Sequence, residues 1–286
     1  MRIAFSAAAL AVALVPAANA ELVVSEIMQN PRAVSDSNGE WFEVSNLGDT
    51  DVNMLGYTVM DLGTNSFTID ADLIVSAGGT AVLGRNDDVL ANGGVDIDYV
   101  YSGMDLANGD DEIVIEDDLG AELDRVEWDG GPTYPDPNGA SMSLVNRSAD
   151  NNDGNNWFES GLETFGDGDF GSPGGVNEAF MRVAVNNAPE SAARGGQVAF
   201  DVDVENPTEG IVGFDAWVNV VSEGIDVTPV AFSGIALPAG LQRNKGLALP
   251  VPTQVALGDY TVSVNLGTMA DNTVNWSDSF VVTITD

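Results

Sequence analysis

The sequence has 286 residues, of which 45 are Asp or Glu, nine are Lys or Arg, and none is His or Cys. The missing cysteine excludes disulfides, thiol nucleophiles and thiolate metal sites, and the missing histidine excludes the commonest catalytic base. A hydrophobic content of 44% is normal for packed cores, so disorder is not expected despite a formal net charge of −36.

The first twenty residues have the pattern of an export signal. Arg2 precedes an apolar stretch from Ile3 to Val15, and Ala18-Asn19-Ala20 resembles a small-residue cleavage site. The stretch is too short to span a bilayer, and no later segment is apolar for long enough. We therefore predict a signal peptide at residues 1–20 and no membrane contact after its cleavage. The product is expected to be secreted, to the medium or the cell surface, with the periplasm as the alternative.

Two domains are predicted after the signal, at residues 21–177 and 178–286. The Gly-rich segment 166–175 marks their boundary, because it offers nothing to bury. Alternating apolar residues at 197–204 and 260–266 indicate half-buried strands, and no window sustains a helical apolar stripe over three turns. The pattern predicts an all-β fold, with two immunoglobulin-like β-sandwich domains in tandem.

The acidic residues are concentrated in the first domain. Residues 21–177 carry 32 acidic and four basic residues, whereas residues 178–286 carry 13 and four. Self-repulsion at this level disfavours a compact state unless salt or bound cations screen it. We interpret the charge as adaptation to salt, to divalent cations or to both, with plain solubility of a secreted protein as the alternative.

A series of short motifs runs through the first domain. The opening segment contains a glutamate–isoleucine pair, and in the second segment a bulky residue precedes the glutamate. The motifs are Val23 to Pro31, Glu40 to Asn46, Val52 to Val59, Phe67 to Val82, Leu106 to Val126, Ser143-Leu144, Asn156-Trp157 and Gly171 to Asn177. In their order and spacing, residues 21–177 resemble bacterial lamin-tail domains, which are immunoglobulin-like sandwiches, over nearly their whole length.

The second domain resembles immunoglobulin-like modules at the ends of many secreted bacterial proteins. The similarity rests on Gly195-Gly196, on Phe214 to Val218 and on Gly258 to Val262. The lamin-tail resemblance implies DNA contacts or fusion to a secreted nuclease in some relatives. Nucleic acid is not expected as a partner here, because four scattered arginines in so acidic a domain form no basic patch.

Calcium is the most credible ligand of the acidic loops, since hard cations bind carboxylate, amide and carbonyl oxygens. The segment Asp150 to Asn156 offers such oxygens at alternate positions around a glycine, although it lacks the distal glutamate and flanking helices of an EF-hand. The ordinary alternative is a set of polar turns. The candidate metal ligands are Asp150, Asn152, Asp153, Asn155, Asp167 and Asp169.

Carboxylates are the remaining candidates for acid–base chemistry. Glu26, Glu40 and Glu43 lie on neighbouring predicted strands, and a glycoside hydrolase needs one pair of carboxylates. On alternating strands, however, we expect these acids to face solvent. Trp128 and Tyr134 are the best candidates for exposed aromatic side chains that bind sugars or proteins, whereas most tryptophans are expected in the core.

These observations predict a secreted, non-catalytic structural or interaction protein with a cell-surface, matrix or adhesive role. No cofactor is expected to be required, and calcium is the candidate stabilising ion. The partner, a protein or a glycan, is not specified by the sequence. The alternatives are a carbohydrate-binding or carbohydrate-active protein and an accessory module of an exported nuclease system.

Overall fold

A computed structural model describes residues 22–286, so the signal peptide predicted at residues 1–20 lies outside the described residues. Strands make up 49% of the structure and helices 3%. The helical part consists of the four-residue α1 (Asp36–Gly39) and a short 3-10 helix (Gly154–Asn156), each too short to bury an apolar face. The all-β prediction is confirmed.

The strands between residues 22 and 170 form the first sandwich. Their bounds are β1 (Leu22–Met28), β2 (Trp41–Asn46), β3 (Val52–Asn53), β4 (Thr58–Met60), β5 (Ser66–Thr68), β6 (Ile74–Val75), β7 (Thr80–Gly84), β8 (Tyr99–Val100), β9 (Asp110–Glu116), β10 (Glu122–Asp129), β11 (Met142–Leu144), β12 (Trp157–Glu159), β13 (Thr164–Phe165) and β14 (Asp169–Phe170).

Two sheets of the first sandwich enclose its core. One sheet has six strands in the order β12-β11-β1-β2-β7-β8, and the other has four in the order β10-β9-β4-β5. Ile27 and Phe42 of the larger sheet share one buried cluster with Ile113 and Ile115 of the smaller sheet. The alternation of apolar residues along these strands therefore points one face of each sheet into a common core.

The central strands β1 and β2 are buried on both faces, since every residue in each is buried. Their inner face carries apolar residues, whereas their outer face carries serine and glutamate next to a small apolar cluster that includes Met28 and Trp41. A bulge between Val24 and Glu26 shifts the register of β1, and Ser25 donates a hydrogen bond to Glu43 on β2. An extra residue in a strand breaks its alternation, which explains how Ser25 and Glu26 both bond on the outer face.

The second sandwich consists of the strands after residue 181. Their bounds are β15 (Arg182–Asn186), β16 (Ser191–Ala193), β17 (Gln197–Glu205), β18 (Val212–Ser222), β19 (Ile225–Leu237), β20 (Gln242–Pro250), β21 (Gly258–Thr268) and β22 (Thr273–Thr285). A sheet in the order β15-β17-β20 faces one in the order β16-β22-β21-β18-β19. Phe200, Val202, Val262 and Val282 fill the space between the sheets. The strands predicted at 197–204 and 260–266 are confirmed as β17 and β21.

Polar and aromatic contacts join the segment after residue 177 to the first sandwich. Glu178 is buried, and its carboxylate accepts hydrogen bonds from the backbone amides of Gly161 and Leu162. The ring of Phe180 stacks on that of Phe158 with centroids 4.6 Å apart. The chain is thus held against the first sandwich until it enters β15.

Candidate functional site

The prediction that Glu26 and Glu43 face solvent is wrong. Both side chains are 0% exposed, and the two residues are direct cross-strand partners on β1 and β2. The strand pattern places them on the outer face as expected, but a later part of the chain covers that face. We call the buried polar layer the serine–glutamate cluster; it consists of Ser25, Glu26, Glu43, Ser45, Ser141, Ser143, Ser160 and Ser172.

Glu26 binds residues 171–177, which cover the outer face of the first sandwich and which we call the closing segment. One carboxylate oxygen, Oε1, accepts hydrogen bonds from the Ser141 hydroxyl at 2.6 Å and from the Ser172 backbone amide at 2.8 Å. The other, Oε2, accepts from the Ser172 hydroxyl at 2.9 Å. Hydrogen bonds to an ionised carboxylate are among the strongest in proteins, so these donors stabilise the charge that burial penalises.

Glu43 binds the same closing segment two residues further on. Its Oε2 accepts a hydrogen bond from the Gly174 amide at 3.0 Å, and its Oε1 accepts from the Ser25 hydroxyl at 2.7 Å. Burial, followed by the nearby charge of Glu26, raises the pKa of Glu43 to about 8. Burial also raises the pKa of Glu26, against the opposing effect of its serine donors. Glu43 is therefore protonated at neutral pH.

Gly171 packs directly against the serine–glutamate cluster and covers it. A Cβ at this position would lie 2.7 Å from the Ser141 hydroxyl and 2.8 Å from Oε1 of Glu26, and its φ of +151° also disfavours other residues. The carboxylates are thus covered by the backbone of the chain itself. A pair of catalytic carboxylates needs room for a sugar ring and a water, and this space is occupied by residues 171–174.

Glu40, the third acid of the predicted group, lies elsewhere. The side chain is 3% exposed, so the expectation that it faces solvent is also wrong. Its carboxylate accepts hydrogen bonds from the Leu106 amide at 3.1 Å and from the Arg85 guanidinium at 3.0 Å. Burial raises its pKa to about 7, while these two donors oppose the rise. Glu40 therefore fixes the loop before β9 to the end of β2.

The candidate calcium loop is held by its own side chains. Asp150 accepts a hydrogen bond from the amide of Asn152, and Asp153 accepts from the amide of Asn155, both at 3.0 Å. Each aspartate thus caps a turn two residues on, as expected of such residues in loops. The Asn152 side-chain oxygen accepts from the Glu127 amide at 2.8 Å, and the Asn155 carbonyl accepts from Arg182 at 2.7 Å.

The other two candidate ligands lie in the neighbourhood of β13 and β14. Asp169 is 3% exposed, and its Oδ2 accepts hydrogen bonds from the amides of Arg32 and Ala33. Asp167 is exposed, and its backbone amide donates to the Gly93 carbonyl. Within residues 22–286, no three acidic side chains come close enough to hold one metal ion. A cation at any of these loops would have to draw on amide and carbonyl oxygens as well.

Calcium binding stays a prediction, and thermal unfolding tests it. If the loop from Asp150 to Asn155 binds calcium, millimolar Ca²⁺ should raise the melting temperature of the first sandwich, by about 5–10 °C at ~100-fold excess over Kd. EGTA should reverse the rise. The control is Mg²⁺ at the same ionic strength, because screening of the net charge by any divalent ion also stabilises the chain. Equal shifts with both ions would contradict a specific calcium site.

The prediction that Trp128 and Tyr134 are exposed is wrong. They are 3% and 5% exposed and belong to the core of the first sandwich. Asp129 accepts hydrogen bonds from the amides of Thr133 and Tyr134, which folds the Gly-rich loop back. The Tyr134 ring then packs 6.3 Å from that of Trp157, centroid to centroid. The composition of the loop indicated a turn but not the direction in which its aromatic residue points.

Sequence patterns missed the donors of the serine–glutamate cluster. Ser141 and Ser143 alternate along the strand beside β1, and Ser172 lies in the Gly-Ser-Pro-Gly-Gly segment. Alternating serines indicate a polar face but not a buried one. The best available signal was the Gly-Ser-Pro-Gly-Gly segment itself, because glycines allow the backbone to approach other groups closely.

The fold and this site define an immunoglobulin-like β-sandwich whose outer polar face is closed by its own C-terminal segment. Residues 15–130 match the family model of the Lamin Tail Domain. The match spans less than half of the 286 residues and lies in the N-terminal part of the chain. The lamin tail domain is a non-catalytic fold. The resemblance of residues 143–177 to the closing elements of the family lies outside the matched residues.

Solved structures with a similar fold share little sequence with the chain. The CARDB domain of the PF1109 protein from Pyrococcus furiosus is 15% identical, with 37% of this chain and 89% of that domain covered and a TM-score of 0.30. A beta-glucosidase from Listeria innocua is 13% identical and covers 44% of this chain, which spans 18% of the enzyme, with a TM-score of 0.31. The sporulation control protein Spo0M from Bacillus subtilis is 13% identical, with 37% of this chain and 49% of that protein covered and a TM-score of 0.29.

No curated protein sequence matches the chain. Within residues 22–286, none of the helices has the length and apolarity required to cross a bilayer.

Proposed function

We propose that this chain is a secreted, non-catalytic structural or interaction protein with a cell-surface, matrix or adhesive role. The proposal rests on the hydrogen bonds that the two buried acids make. Glu26 and Glu43 are bonded to residues 172 and 174, so the acids with raised pKa values fasten the chain to itself. Acid–base catalysis would require these groups to face a substrate.

The covered polar face supports a structural role for the first sandwich. The closing segment binds β1 and β2 along the length of the strands: Ser172 contacts Glu26, Gly174 contacts Glu43, and the Asn177 side chain donates to the carbonyls of Ser25 and Leu144. A strand pair packed on both faces is harder to open locally than one exposed on one face.

The test is a binding assay paired with a turnover assay. The purified full chain should cosediment with cell-envelope material from its source organism and should release no soluble sugar from it. Sustained release of sugar that is lost in Glu43→Gln would overturn the proposal in favour of a carbohydrate-active protein. Binding on a glycan array without turnover would identify the partner as a glycan and leave the non-catalytic role intact. Failure to cosediment would contradict the cell-surface role.

A further inference from the structure

The second sandwich is open along one side, between the edge strands of its two sheets. Strand β19 ends the five-stranded sheet and β20 ends the three-stranded sheet. They are consecutive in the chain, yet they belong to different sheets. An edge strand presents a row of unpaired amide and carbonyl groups, which can bind a further strand.

The open side between β19 and β20, which we call the seam, is lined by apolar side chains. One cavity of about 240 Å³ is lined by residues that include Trp217, Phe232 and Leu247. A second of about 460 Å³ is lined by residues that include Val227 and Leu249. Because Leu247 and Leu249 are successive inward positions of β20, the two cavities follow one another along the same seam.

Exposure at the rim shows that the seam is not sealed. Val227 is 50% exposed and Phe232 is 47% exposed, although both line the seam. Strand β19 has thirteen residues and a single charged one, Asp226. Long, weakly charged edges are uncommon in natural sheets, because they invite pairing with another chain. Pro229 and two register shifts against β18 are the protective features present.

Two cations point into the seam from β20. Arg243 and Lys245 line the same cavity as Leu247, at alternate positions of the strand. Lys245 is the only lysine of the chain. On the opposite face of β20, Asn244 donates a hydrogen bond to Asp203, which shows that the acids of β17 lie on the outer face. Strand alternation therefore separates the two cations from the nearest aspartates.

The charge of these cations has no partner within the described chain. Among residues 22–286, neither Arg243 nor Lys245 lies within 4.0 Å of a carboxylate oxygen, whereas Arg85, Arg125, Arg147, Arg182 and Arg194 all form ion pairs. The chain has 45 acidic residues for nine basic ones. Two unpaired cations on one apolar groove are thus complementary to an anionic, apolar ligand.

We propose that the seam binds an extended segment of a partner protein, apolar at alternate positions and carrying one carboxylate among them. The backbone of the segment pairs with β19, its apolar side chains enter the two cavities, and its carboxylate binds Arg243 and Lys245. A second copy of this chain is disfavoured as the occupant, because each copy has a formal charge of −36. This inference rests on the proposed function and names its partner class.

The alternative explanation is that the cations only protect the edge. Inward-pointing charges are one way in which natural sheets prevent aggregation. If the cations only protect the edge, every peptide should bind weakly whatever its charge. If the seam is a binding site, the affinity should depend on the charge of the peptide. The two explanations therefore differ in the order of affinities for matched peptides.

The experiment uses the full chain and three fluorescently labelled peptides of about nine residues, the length of a strand that spans the seam. They alternate threonine and valine, and one central valine is replaced by glutamate, glutamine or lysine. Fluorescence anisotropy should give the tightest binding for the glutamate peptide and the weakest for the lysine peptide, about tenfold apart at low salt. The difference should shrink at high salt.

Three variants define the site. Arg243→Glu with Lys245→Glu should invert the order, so that the lysine peptide binds best. Phe232→Asp should weaken the glutamate peptide by about tenfold, since it adds a negative charge to the wall. Val281→Asp is the matched control, because Val281 is 57% exposed on β22 and does not line either cavity. Thermal melts of each variant establish that it is folded.

Equal affinities for the three peptides, or no binding at about 1 mM, would overturn the proposal. Binding of a fluorescent fatty acid that no peptide displaces, and that Phe232→Asp abolishes, would also overturn it and identify a lipid pocket. If no peptide binds but the chain still cosediments with envelope material, only the proposed binding site at the seam is rejected. Turnover of envelope polysaccharide would instead reject the proposed function.

Discussion

Replacement of Glu26 by alanine is expected to lower the free energy of unfolding of the first sandwich by about 3–5 kcal/mol. The change removes the acceptor of three hydrogen bonds, from the Ser141 hydroxyl and from the amide and hydroxyl of Ser172. It also leaves a cavity, since the side chain is fully buried. Removal of a carboxyl group whose burial is unfavourable offsets part of this loss. The net change is destabilising, because each buried donor that is left without an acceptor costs about 1–3 kcal/mol.

Denaturant unfolding followed by tryptophan fluorescence measures the effect. The second sandwich provides an internal reference, because its core is formed by different residues and should unfold at an unchanged midpoint. Glu26→Gln should cost less than Glu26→Ala, since the amide oxygen keeps one acceptor and fills the space. The matched surface control is Glu122→Ala, which breaks an exposed ion pair with Arg125 and should leave stability nearly unchanged. A loss as small for Glu26→Ala as for Glu122→Ala would show that the closing segment does not depend on Glu26.

The strands and the sandwich architecture could be predicted because they follow from local alternation. The spans 197–204 and 260–266 alternate strictly, and each lies within an observed strand. Alternation states which residues share a face, and an apolar face must be buried somewhere. Both sandwiches satisfy this requirement with their own two sheets.

The burial of Glu26 and Glu43 could not be predicted in the same way. Alternation correctly assigns Glu43 to the polar face of β2, but the cover of that face comes from far along the chain. Ser172 lies 146 residues from Glu26, and Gly174 lies 131 residues from Glu43. A polar face is expected to be exposed to solvent unless hydrogen-bond donors from another part of the chain cover it. Such donors come from residues distant in sequence, so local alternation does not reveal them.

The calcium candidates show a related limit. Asp169 was grouped with Asp167 because a glycine alone separates them, yet Asp169 is buried and binds two amides near residue 32. Asp and Asn satisfy loop amides as readily as they bind cations, so a cluster in sequence does not distinguish the two uses. Trp128 and Tyr134 were misplaced for a comparable reason, since a Gly-rich loop allows its aromatic residue to turn inward.

The stability of the first sandwich is expected to fall as pH rises from about 5 to about 8, in part through Glu43. The pKa of Glu43 is raised from the ordinary value of 4.5 to about 8, so the folded state binds a proton that the unfolded state has released. Stability decreases with pH wherever the folded state holds more protons. The contribution is therefore fully present below about 4.5 and is lost as pH passes about 8. One carboxyl limits the slope to about 1.4 kcal/mol per pH unit.

Glu43→Gln isolates this contribution from those of the other acids. The amide oxygen can accept from the Gly174 amide, and the amide nitrogen can donate to the Ser25 oxygen if the Ser25 hydroxyl turns to donate to Ser45 instead of Glu43. Glu40, with a pKa of about 7, is present in both proteins, so its contribution cancels in the comparison. Constant high ionic strength screens the net charge. Urea unfolding should then give similar stabilities at about pH 5 and a variant that is more stable than the wild type above about pH 8. Parallel curves across the window would show that Glu43 is ionised in the folded protein and would contradict its raised pKa.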